Sequence, residues 1–130
     1  MYSRDYILKL VQQFAQVLAR IAGYKEKGEP GKAIELINET YAGLLKLDRK
    51  YLLGLKPDDT VAMLIQEYHL TLDQLDILAK LMVEDADLDA IEKKNLCSKA
   101  LLILAYLNKE QKVYSFEREA LMEDIRKRLN

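Results

Sequence analysis

Ile21-Ala22-Gly23-Tyr24-Lys25-Glu26-Lys27-Gly28-Glu29-Pro30-Gly31-Lys32-Ala33-Ile34 ends one amphipathic helix and starts another within a few residues. Upstream, Ile7, Leu10, Val11, Phe14, Val17, Leu18 and Ile21 recur at spacings of three and four; downstream, Ala33, Ile37, Tyr41, Leu44 and Leu45 do the same. Both flanks therefore carry an apolar face of helical period. A glycine past a helix end, such as Gly28, can take the left-handed conformation that closes it, and Pro30 is tolerated only in the first turn of the next helix. The stretch predicts a helical hairpin over residues 1–53. Its first helix runs from about Arg4 to Lys25 with Ser3 as N-cap and Asp5 in the first turn, and its second runs to about Leu53.

The remaining chain punctuates itself in the same way. Lys56-Pro57-Asp58-Asp59-Thr60 precedes a short third helix whose face is Val61, Leu64, Ile65 and Tyr68. Thr71-Leu72-Asp73-Gln74 has the form of a capping box, in which the two side chains satisfy each other's orphan amides, so a fourth helix starts there and reaches about Val83. Asp89-Ala90-Ile91-Glu92 repeats that form and opens a fifth helix to Leu107. Its run Ala100-Leu101-Leu102-Ile103-Leu104-Ala105-Tyr106-Leu107 is apolar all round, too short to span a bilayer, and predicts a central core helix covered on every side. A turn near Asn108 to Lys112 leads to a sixth helix with Phe116, Ala120, Leu121, Ile125 and Leu129 on its face, ended by Arg126, Lys127 and Arg128, whose charges complement the helix dipole. No stretch alternates like a strand. The expected fold is all-α, about six helices in antiparallel hairpins around the central fifth, as one domain: a hairpin over 1–53, short helices over 57–88 and a C-terminal hairpin over 89–130.

Composition narrows the function classes. The chain has 130 residues, half of them hydrophobic and 32% charged, which suits one core that buries roughly two-thirds of the unfolded chain's surface. Its net charge of −1 creates no field to attract nucleic acid or an anionic membrane. The opening residues lack the basic, apolar and small-residue blocks of a secretory leader, so a cytoplasmic location is expected. Cys97, the one cysteine, reads as a reduced buried thiol, and Asn38-Glu39-Thr40 matches the glycosylation sequon only formally.

The gaps from Tyr24 to Gly28 to Ala33 resemble those of the tetratricopeptide (TPR) hairpin, where an aromatic, a turn glycine and a small residue let two helices pack closely. Pro30 and Thr40 depart from that consensus, and no 34-residue period is visible, so the resemblance implies a TPR-like hairpin and not a regular array. Arg4-Asp5-Tyr6-Ile7 with Phe14, Ala33-Ile34, Ile37 and Leu44-Leu45-Lys46-Leu47-Asp48 also resembles an uncharacterised family of small all-α bacterial proteins, over roughly the first 50 residues. That resemblance implies a cytoplasmic, helical-repeat-like protein and brings no activity or site residues.

Residues with chemical potential do not assemble into a familiar site. Asp85, Asp87 and Asp89 have the spacing of the first calcium-loop ligands, yet Ala90 replaces the turn glycine and Leu96 the bidentate glutamate, so the segment reads as a solvated acidic connection. His69, the only histidine, has no second histidine for a di-iron bundle and no serine in a nucleophile elbow, and reads as a helix-end or surface residue. The pairs Glu35/Glu39 and Glu119/Glu123 could hold magnesium if their helices faced each other; Lys32, Lys46, Arg118 and Lys127 are near enough to balance them instead. The tyrosines Tyr6, Tyr24, Tyr41, Tyr51, Tyr68, Tyr106 and Tyr114 stand beside apolar stripes, where a ring packs inward and its hydroxyl reaches water, or where some could line a peptide groove.

By elimination the sequence points to a non-catalytic protein-protein interaction or self-association module without catalytic residues, metal or cofactor. The alternative is a small α-helical divalent-metal hydrolase using the acidic pairs. The first helix carries apolar residues over roughly 220° of its circumference, more than one packing contact uses. A homodimer is therefore expected, with Leu8, Ala15, Ala22 and Tyr24 as candidate interface residues. Ala33, at the small-residue place of the hairpin, should lie at the closest approach of the first two helices. Ala33→Leu is expected to cost about 1 to 3 kcal/mol by overpacking; a neutral change in thermal unfolding would contradict the hairpin reading.

Overall fold

A computed structural model describes residues 4–130, so the proposed Ser3 cap lies outside the described residues. The described chain forms seven α-helices and no strand: α1 (Arg4–Glu26), α2 (Pro30–Gly43), α3 (Arg49–Gly54), α4 (Thr60–Gln66), α5 (Leu72–Leu88), α6 (Lys93–Glu110) and α7 (Phe116–Leu129), with a 3₁₀ turn at Pro57–Asp59 before α4.

The α1–α2 junction closes as its residues require. Gly28 takes φ 69°, its N–H reaches Lys25 O at 3.1 Å, and Glu29 N–H reaches Tyr24 O at 2.8 Å. This pair of bonds caps the last carbonyls of α1, and the left-handed residue is one only glycine adopts without strain. Pro30 then opens α2, and Ala33 is fully buried in the core shared by the two helices.

The expected second helix is two helices. A continuous helix would put Leu45 and Leu47 on opposite sides, whereas the break after Gly43 buries both. Lys46 turns the chain with φ 51°, and the Asp48 side chain accepts the Lys50 N–H at 3.0 Å to start α3. The capping box forms as read: Thr71 N–H donates to Gln74 Oε1 at 2.9 Å and Gln74 N–H to Thr71 Oγ1 at 3.2 Å.

α5 packs against α1, α2 and α6, while α6 also meets α4, α7 and the 3₁₀ turn. Ten of the seventeen α5 residues are buried against seven of eighteen in α6, so the centre is the α5–α6 pair, with α5 the more enclosed member. Each fully buried leucine here, such as Leu75, Leu78 or Leu104, contributes about 2 kcal/mol over an exposed one. Within the apolar run Ala100, Ile103, Leu104 and Leu107 are buried, but Leu102 and Ala105 are exposed. The expected coverage on every side is thus corrected, because α7 lies against one flank of α6 only and leaves an open cleft by Ser98, Leu101, Leu102, Ala105, Met122 and Arg126.

Lys99 enters this core, a placement its charge does not predict. It is 1% exposed, and its ammonium donates to Leu52 O and Leu53 O, both at 2.8 Å, at the C-terminal end of α3. The cation joins the Leu55 N–H, which reaches Leu52 O at 3.4 Å, and supplies a partner to Leu53 O at the negative end of this six-residue helix. Burial pushes the ammonium below its usual pKa, offset in part by the charge of Glu92.

Leu104→Asp is expected to destabilise the domain by more than about 3 kcal/mol, since it strands a charge at a site with no water and no partner. Melting at the wild-type temperature would remove α6 from the core.

Candidate functional site

Two features stand out from the bundle: a knot of charges at the end of α5 and an apolar face on α1. The knot begins with a sequence problem. Glu84, Asp85 and Asp87 lie in the last turns of α5, where the helix dipole is negative and disfavours carboxylates. Cations from three other helices converge on them. Lys25 of α1 reaches Glu84 at 3.0 Å and Asp87 at 3.5 Å; Arg128 of α7 forks onto Asp87 at 2.8 and 3.2 Å. Arg49 of α3 forks onto Asp85, 2.8 Å to each oxygen, and also reaches Asp89 at 2.9 Å. The buried Tyr41 hydroxyl of α2 donates to Asp85 at 2.7 Å.

This arrangement corrects the reading of residues 84–89 as a solvated connection. Five of those residues extend α5 beyond Val83, and Asp85 is buried. Asp89 does cap: its Oδ1 accepts Ile91 N–H and Glu92 N–H, each at 3.1 Å, although α6 begins only at Lys93 after an intervening turn. Arg49 lowers the Asp89 pKa through its hydrogen bond. For Asp87 burial pulls upward, but Arg128 and Lys25 together hold it below its ordinary value. Burial, then the neighbouring Asp85 charge, pushes the Tyr41 phenol well above its usual value, so it stays a neutral donor. The cleft beside Arg49 and Asp85 holds about 90 Å³, well below the roughly 300 Å³ at which ordinary ligand pockets begin. The knot is a closed set of ion pairs, built to hold helices together.

The other chemical candidates separate. His69 is an exposed residue just past α4 with φ 55°. Glu35 and Glu39 are exposed on α2, which packs on α1, α3 and α5, whereas Glu119 and Glu123 sit on α7, which packs on α6. The balancing charges differ from the sequence reading as well. Lys32 pairs with Glu29 at 2.7 Å, Arg118 bonds Asn108 and Gln111, and Glu123 pairs with Arg126. Among the described residues no three His, Cys, Asp or Glu side chains gather as a metal site. Cys97 is buried and its thiol pKa is raised by that burial. Among the described residues Tyr24, Tyr41, Tyr68 and Tyr106 pack in or against the core, while Tyr6 and Tyr114 are exposed.

On α1 the apolar surplus divides cleanly. Leu10, Phe14 and Ile21 are buried, with Ile7, Val17 and Tyr24 beside them on the core side. Leu8 is 51% and Val11 46% exposed, and Ala15, Ala19 and Ala22 are exposed with them. At about 100° per residue these five share one arc, bordered by Leu18, and Tyr24 lies nearly opposite. Tyr24 is half-buried, 6.0 Å beneath the Lys32 ammonium, so the four candidate interface residues do not form one patch. Leu8, Ala15 and Ala22 do. Leu18 leads from this face into a cleft floored by Lys80, Val83 and Glu84 of α5 and walled by Ala120 and Leu121 of α7. No helix among the described residues is long and apolar enough to cross a membrane.

No family model, no curated protein and no solved structure matches the chain.

Asp87 and Asp89 titrate lower in the folded chain than in the unfolded one. Their contribution to stability is therefore complete above the unfolded value near 4 and is lost as pH falls through the lower folded values. The urea midpoint is expected to drop as pH is lowered below about 4. Arg49→Gln, which removes the main cause of the Asp89 shift, should make that drop shallower; an unaltered pH dependence would show that Arg49 does not hold Asp89.

Proposed function

We propose that the protein is a non-catalytic, cytoplasmic interaction module, with a TPR-like α1–α2 hairpin, that associates with itself as a homodimer. The observation that supports this reading is the exposed arc of α1. The bundle uses one side of this helix for its core, and the second side keeps Leu8 and Val11 about half exposed beside a row of alanines. Contiguous apolar surface of this kind, on a regular helix rather than scattered singly, characterises a protein-protein contact. Burial of two such faces against each other needs no further element of the fold, and a two-fold axis uses the same patch twice.

The alternative of a metal-dependent hydrolase draws no support from the acidic pairs, since their helices pack on different neighbours.

Light scattering at tens of micromolar is expected to give about 30 kDa, twice the 15.0 kDa chain mass. Leu8→Glu with Ala15→Glu should return the mass to that of one chain while helical content stays constant, because both positions are exposed. A wild-type mass of one chain refutes self-association, and a dimer that survives both substitutions moves its interface off α1.

A further inference from the structure

The order of residues along the exposed arc of α1 says which way a second copy would lie. The arc reads Arg4, Leu8, Val11, Ala15, Ala19, Ala22 and Glu26, spaced by three or four, and all seven are exposed. Its bulky members, Leu8 and Val11, stand in the N-terminal half, and its small members, Ala19 and Ala22, in the C-terminal half. A cation stands at one end and an anion at the other.

A parallel pair would set Leu8 on Leu8 and Ala22 on Ala22, splaying the helices at one end and leaving a gap at the other. It would also juxtapose two Arg4 side chains and two Glu26 side chains. An antiparallel pair centred on Ala15 does the reverse: Leu8 meets Ala22, Val11 meets Ala19, Ala15 meets itself, and Arg4 meets Glu26. Away from the axis bulk faces small side chain and charge faces opposite charge, and each of those three pairings occurs twice by symmetry. We propose, resting on the self-association argued above, that the partner of this face is a second copy of the chain, with the two α1 helices antiparallel and the two-fold axis passing through Ala15.

The seam from Arg4 to Glu26 runs about 33 Å at 1.5 Å per residue. A single pair of helices of this length lies at the small end of stable interfaces. Alanines at the crossing allow the two backbones to approach as closely as helices do, near 8 Å between axes.

Cysteine pairing tests the register directly. In a Cys97→Ala background, Ala15→Cys is expected to form a disulfide-linked dimer under mild oxidation, because residue 15 faces its own copy on the axis. Leu8→Cys alone should not, since its two copies sit roughly 21 Å apart along the seam, whereas an equal mixture of Leu8→Cys and Ala22→Cys chains should link to each other. Arg4→Glu and Glu26→Arg should each weaken the dimer roughly tenfold at low salt, and the double variant should restore it. Self-linking of Leu8→Cys overturns the antiparallel pairing, and an Ala15→Cys chain that stays unlinked while the wild type is dimeric overturns the register but leaves self-association standing. A wild-type chain that scatters as a monomer overturns both.

Discussion

Cations from three separate helices hold four carboxylates at the end of α5, and the arrangement of the bundle follows from that requirement. Asp85 and Asp87 occupy helical positions where the backbone dipole already carries negative charge, and Asp85 is buried. Left to themselves these groups would unwind the last turns of α5 toward water. Lys25, Arg49 and Arg128 instead bring α1, α3 and α7 to the same point, and Tyr41 adds α2. Removal of Arg49 leaves the buried Asp85 without its cation, which costs more than the loss of a part-exposed pair such as Arg128–Asp87. The knot orients helices that the apolar core alone would allow to slide.

The same logic explains Lys99. A lysine in the apolar stripe of α6 between Leu96 and Ala100 looks like a fault in the pattern, but its stem packs in the core while its head serves the end of α3. Asn95, one turn earlier, also donates to Leu53 O, at 3.0 Å. Two side chains of α6 therefore meet the last carbonyls of α3, whose own Leu55 N–H reaches only Leu52 O, at 3.4 Å. Burial lowers the pKa of Lys99, and the charge of Glu92 works against that shift.

Local rules were legible where the answer lay within a few residues. The Gly28 turn, the Pro30 start and the Thr71–Gln74 box depend on spacings of a few residues, and the structure has them where the spacing put them; the apolar faces hold only in part, because Val11 of the first and Phe116 and Ala120 of the last are exposed, and Met122 is buried with Ile125 in α7 instead. The break between α2 and α3 is hidden because Leu44 and Leu45 continue the helical face of Ile37 and Tyr41; Gly43, Asp48 and the off-face Leu47 were the available signals. The charge knot was illegible for a different reason. Arg49 and Asp85 are 36 residues apart, and Lys25 and Glu84 are 59 apart. Sequence spacing within a helix says nothing about which distant cation a carboxylate will meet, so Asp85, Asp87 and Asp89 could be read only against local templates, and the calcium loop was the nearest one.

The exposed apolar groups in and beside the turns differ in kind from those on α1. Tyr114 and Phe116, in the turn before α7 and at its first residue, are highly exposed but stack edge to face at 5.2 Å, so each ring already covers part of the other. Ile91 is nearly bare between α5 and α6 but stands outside any helix face. Single exposed residues of that sort are ordinary in proteins and need no partner. Leu8, Val11, Ala15, Ala19 and Ala22 instead lie on one regular helix whose opposite side is fixed in the core, so they cannot turn inward without pulling Leu10, Phe14 and Ile21 out. A rigid helix that buries one apolar side and presents another has already met the entropic cost of ordering its backbone in folding. Association through that face then has little left to order beyond the side chains themselves, which for alanine is nothing.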